Sequence, residues 1–105
     1  MRPVNGKLKD YDFQSLMDKV KERRESLFTV LEHNGKLYDF TIRTMELITP
    51  LDENTLWQFY CIEQLEDDDR LLSEYKECSN LLEKDLVAKM DEYRNRIIDG
   101  EFDRR

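Results

Sequence analysis

The chain has 105 residues, 24 of them acidic and 17 basic, for a net charge of −7, with 39% hydrophobic residues and 10% aromatics. A chain this short supports one domain with one core, and its apolar share belongs to a folding sequence and not to a disordered one. The acidic excess argues against direct nucleic-acid binding, because phosphates are held by neutralising them with Lys and Arg, and it disfavours anionic membrane surfaces.

The opening residues, Met1 to Lys7, lack the apolar stretch of a signal peptide, and no apolar run approaches the roughly eighteen residues of a membrane span. The expectation is a cytoplasmic protein. Cys61 and Cys78 have no metal-type spacing and are expected as two buried thiols without a disulfide.

Residues 1–9 contain Pro3, Gly6, Arg2, Lys7 and Lys9 and read as a flexible arm ahead of a single globular domain at 10–100. Asp10 or Asp12 caps a first helix, in which Phe13, Leu16, Met17 and Val20 repeat at i, i+3, i+4 and i+7, through about Arg24.

Asn34-Gly35 sits between two stretches rich in β-branched and aromatic residues and predicts a hairpin with a type I′ turn. Pairing His33 with Lys36 then sets Leu31 opposite Tyr38, Thr29 opposite Phe40 and Leu27 opposite Ile42 on one nearly apolar face. The other face would carry Val30, Glu32, Asp39 and Arg43. A rival reading continues the first helix to Gly35 and starts a second at Leu37, giving an all-α bundle of four to five helices. Pro50 and Asp52-Glu53-Asn54 mark a turn, and Thr55 to Ile62 repeats the β-type composition as a third strand.

From Asp67 to Gly100 an amphipathic pattern steps through Leu71, Tyr75, Cys78, Leu82, Leu86, Met90, Tyr93 and Ile97, at a spacing that fits a straight helix better than a coiled coil. A continuous helix there would reach about 45 Å and would need a partner to cover its far turns. Asn80 and Glu83, with capping-box spacing, offer the alternative of a break near Ser79-Asn80 into two shorter helices, and the pattern leaves both readings open. Residues 101–105 form a charged tail. The expected fold is therefore α+β: an N-terminal helix, a three-stranded antiparallel meander and a long C-terminal helix.

No catalytic or cofactor signature stands out. His33 is the sole histidine and lies beside a tight turn, Cys61 has no activating motif near it, and three glycines cannot build a phosphate-cradling loop. The acidic run Glu63, Glu66, Asp67, Asp68 and Asp69 lacks the spacing of a calcium loop. The basic residues Lys19, Lys21, Arg23 and Arg24 are interleaved with acids that cancel their field.

What remains is a non-enzymatic protein that needs no cofactor or metal and binds another protein, of inhibitor, immunity or adaptor type. Its expected partner is larger and basic, for example a nucleic-acid-handling enzyme. The candidate contact residues are Trp57, Glu63, Glu66, Asp67, Asp68, Asp69, Met90, Tyr93 and Ile97. Two alternatives share these residues: a homo-oligomeric assembly protein of phage or scaffold type, dimerising through the C-terminal helix, and a nucleic-acid mimic acting through the acidic run.

Overall fold

The computed structural model describes residues 4–44 and 51–103. Strand β1 (Gly6–Lys7) leads through a 3-10 turn (Leu8–Asp10) into helix α1 (Phe13–Arg23), followed by β2 (Leu27–His33), β3 (Lys36–Thr44), β4 (Trp57–Gln64), β5 (Arg70–Leu71) and helix α2 (Glu83–Ile98). The strands form one sheet in the order β1-β2-β3-β4-β5, with β1 parallel to β2 and every other pair antiparallel. The class is α+β, and the meander anticipated from sequence is its centre, extended on either side by a two-residue edge strand.

The hairpin register is the one the alternation dictates: His33 pairs with Lys36, Leu31 with Tyr38, Thr29 with Phe40 and Leu27 with Ile42. Asn34 and Gly35 both take positive φ, 51° and 80°, as a type I′ turn requires. The Asp12 carboxylate accepts from the Gln14 N–H at 3.0 Å and starts α1.

Both helices pack on the face that holds Leu31, Tyr38, Phe40, Ile42, Phe59 and Cys61, contributing Phe13, Leu16, Met17 and Val20 from α1 and Leu86, Met90, Tyr93 and Ile97 from α2. Through this core runs a ladder of rings, Tyr11, Phe13, Phe40, Phe59, Tyr93 and Phe102, with successive centroids 5.3, 4.7, 6.3, 5.6 and 6.0 Å apart.

Three expectations need correction. The arm is tied down from Asn5 onward: Asn5 exchanges hydrogen bonds with Val30, Gly6 and Lys7 pair with β2, and Leu8 is fully buried. The tail is anchored too, since Phe102 stacks on Tyr93 and its carbonyl accepts from Arg70 at 2.6 Å; Met1 to Pro3, Arg104 and Arg105 lie outside the described residues.

The third correction is the larger. The long C-terminal helix starts only at Glu83, so that its 16 residues span about 24 Å. Residues 70–81 instead run along the outer edge of β4. The N–H groups of Trp57, Phe59 and Cys61 donate there to the Leu81 carbonyl (2.7 Å), the Cys78 carbonyl (3.1 Å) and the Ser73 hydroxyl (3.1 Å). An edge strand with unsatisfied donors is costly, and this segment relieves it by giving up its own helix. Asn80 takes a left-handed conformation, φ 56°. The Glu83 carboxylate accepts from Gln14 (3.0 Å) and Lys21 (2.8 Å) of α1 instead of closing a capping box with Asn80.

Candidate partner-binding surface

Alternation along the strands divides the sheet into a helix-covered face and an outer face on which no helix of the described residues packs. Two adjacent rungs cross the outer face: Phe28, Thr41 and Tyr60 on one, and Val30, Asp39, Ile62 and Leu71 on the next. Phe28 is 55% and Leu71 60% exposed, while Tyr60 and Ile62 are half-buried and Val30 and Asp39 are buried. Exposed apolar surface on this face thus stands at Phe28 on β2 and Leu71 on β5, with half-buried Tyr60 and Ile62 between them.

At one end of the strands the loop between β4 and β5 carries Glu66, Asp67, Asp68 and Asp69, all exposed, next to Leu65, which is 44% exposed. None of the four carboxylates forms an ion pair among the described residues. On the rung beyond Thr41 and Tyr60, Arg43, exposed at the close of β3, lies 6.0 Å over the Tyr60 ring.

The other sequence-derived candidates are inside the molecule. Trp57, Met90, Tyr93 and Ile97 are at most 3% exposed and belong to the core. Their apolar stripe is covered by the domain's own sheet, which removes the reason to expect a homodimer through the C-terminal helix. Glu63 is 2% exposed because it points to the core side, where Arg70 meets it in an ion pair and the Lys36 ammonium stands 3.7 Å away. Sequence reasoning thus located the acidic loop and missed Phe28, Tyr60, Ile62 and Leu71, although Phe28, Tyr60 and Ile62 occupy the outward phase of the very alternation that fixed the register.

Comparison of the chain with protein-family models, with curated proteins and with solved structures finds no match. The reading of the surface therefore rests on its physics alone.

The two groups with nucleophilic or base chemistry do not meet. Cys61 sits at mid-strand on the core face and His33 at the hairpin end, four positions along and two strands across, which strand geometry converts to about 16 Å. Burial pushes the Cys61 thiol well above its ordinary pKa, with Asp39 and Cys78 adding to the effect, so it is held as the un-ionised thiol where a nucleophile needs the thiolate. Cys78 is likewise a free buried cysteine, pushed up to about 11, chiefly by burial. Among the described residues no three His, Cys, Asp or Glu side chains converge as a metal-binding set, and no helix is long and apolar enough to cross a membrane.

Proposed function

We propose that this chain is a non-catalytic binding protein, of inhibitor, immunity or adaptor type, that docks a larger protein on the outer face of its sheet. The observation that carries the reading is the junction of two surfaces: apolar side chains of the outer face, Leu71, Ile62, Tyr60 and Phe28, and beside Leu71 the carboxylates of Glu66 to Asp69, unpaired among the described residues. An apolar centre with a polar, charged rim is the anatomy of a protein interface, and exposed aromatics at such a centre serve as anchors.

The charge names the partner's chemistry. Four adjacent carboxylates in a chain of net charge −7 steer it toward a basic surface and speed the encounter. Basic surfaces of that kind are what proteins use to hold nucleic-acid phosphates, so a nucleic-acid-handling protein is the partner of choice.

The test is affinity capture from the native source with three baits: the wild type, Phe28→Ser/Leu71→Ser, and Asp67→Asn/Asp68→Asn/Asp69→Asn. One stoichiometric basic protein captured by the wild type and lost from both variants supports the reading. Capture that survives both sets of substitutions refutes this surface. Recovery of further copies of the same chain alone would replace the reading with homo-oligomeric assembly, which light scattering would then size.

A further inference from the structure

A cleft of about 290 Å³ opens where the ends of β3 and β4 meet the irregular segment that edges β4. It lies at the far end of the strands from the acidic loop and borders the outer face at Arg43. Its volume lies just below the usual range for ligand pockets, about 300–1,000 Å³, which restricts it to a small occupant.

The lining inverts the electrostatics of the chain. In a protein with 24 acids and 17 bases, Arg43 lines this cleft and no Asp or Glu does among the described residues. The arginine is also oriented. Its Nε donates to the Gln58 Oε1 at 2.7 Å, and Gln58, only 9% exposed, donates through Nε2 to the Ser79 Oγ at 2.8 Å. Gln58 is thus fixed at both ends of its amide, and it fixes the plane of the guanidinium in turn.

That arrangement leaves the two Nη groups of Arg43 without a partner among the described residues, as an end-on fork of parallel donors. Such a fork matches two oxygens of a carboxylate or phosphate. Ser79 accepts from Gln58 and keeps its own hydroxyl proton to donate, and the Asn80 carboxamide also lines the cleft, its backbone turned by the left-handed φ of 56°. The rest of the lining is Thr44, Asn54, Thr55 and Leu56, with Tyr75, 72% exposed, at the mouth and the buried Trp57 at the floor.

We infer that this cleft is a binding site for a small organic anion, a flat apolar body bearing one carboxylate or phosphate. The anionic group sits on the Arg43 fork with Ser79 beside it, and the body lies against Leu56 and Tyr75. Exposed Tyr75 has a function in this arrangement that the fold alone does not give it.

Trp57 is the one tryptophan of the chain and borders the cleft from its buried position, so its emission is the probe of occupancy. Phenyl phosphate, benzoate and the neutral benzyl alcohol are titrated in turn. The expected result is a saturable change with one or both anions below about 10 mM, within reach for fragments of this size, and none with the alcohol. The anion that binds more tightly identifies the head group. Arg43→Gln, at an exposed position that leaves the core intact, weakens the binding about tenfold or more, and Ser79→Ala weakens it less. No saturable response to either anion, equal binding of the alcohol, or unchanged affinity in Arg43→Gln each overturns the inference.

Discussion

Glu63 and Arg70 stand directly opposite one another on β4 and β5, and their side chains form an ion pair on the core side of the sheet. Glu63 is 2% exposed, and Arg70 also ties down the C-terminal turn through the Phe102 carbonyl. Removing one member of such a pair strands a buried charge, whereas removing both does not. Arg70→Met is expected to lower the unfolding free energy by about 3 kcal/mol, with the Glu63→Gln/Arg70→Met double variant recovering most of that loss. Urea unfolding of the four proteins in the cycle measures it, and a double variant no better than Arg70→Met would refute the pairing argument.

The hairpin turn concentrates its strain tolerance in one residue. Gly35 has a φ of 80° and donates its N–H to the Glu32 carboxylate at 3.0 Å, with open space where a Cβ would stand. Gly35→Ala therefore meets no steric neighbour and costs only the left-handed conformation, about 1 kcal/mol. A loss well above that in thermal or urea unfolding would mean that the turn type itself had changed.

How much of this was legible depends on where the decisive partners lie. The hairpin was readable because a period of two and a turn type are local properties, and the α1 cap because Asp12 and Gln14 are two residues apart. The segment before α2 was not. Leu71, Tyr75 and Cys78 repeat at helical spacing, yet Leu71 and Tyr75 are exposed and Leu72 and Cys78 buried. The deciding interactions are hydrogen bonds to Trp57, Phe59 and Cys61, some twelve to twenty-four positions earlier in the chain and invisible to any local pattern. The same limit explains Glu63: its place in an acidic run suggested surface, and only the pairing of β4 with β5 turns it toward Arg70.

Two phenols make the fold sensitive to alkali. Tyr38 is pushed up to about 12 by burial and by the neighbouring Glu63 and Asp103, and Tyr93 to about 12 by burial, with its hydroxyl 3.0 Å from the Glu77 carboxylate. The folded state therefore keeps two protons that the unfolded chain releases near the ordinary phenol value of about 10. Their contribution is fully present below pH 10 and is lost as pH rises from about 10 through 12. Urea midpoints at rising pH should be level with respect to these groups up to about pH 10 and then fall. Absorbance of tyrosinate should show two of the five tyrosines ionising late, one fewer in Tyr38→Phe or Tyr93→Phe. A full complement of early-ionising phenols in the folded protein would contradict the burial argument.

Phe28 and Phe40 lie on adjacent strands and on opposite faces of the sheet, one 55% exposed and the other fully buried. Phe40 touches Phe13 and Phe59 in the ring ladder, at 4.7 and 6.3 Å between centroids. Truncating it to alanine opens a cavity between helix and sheet and should cost about 3–5 kcal/mol. Phe28→Ala leaves that core untouched and should stay within about 1 kcal/mol of the wild type, so its consequence must appear elsewhere. If the outer face is the docking surface, the variant unfolds almost like the wild type yet loses most of its captured partner. A Phe28→Ala protein that is strongly destabilised would show the ring to be structural, and its retention in a sequence of this charge would no longer point to a partner.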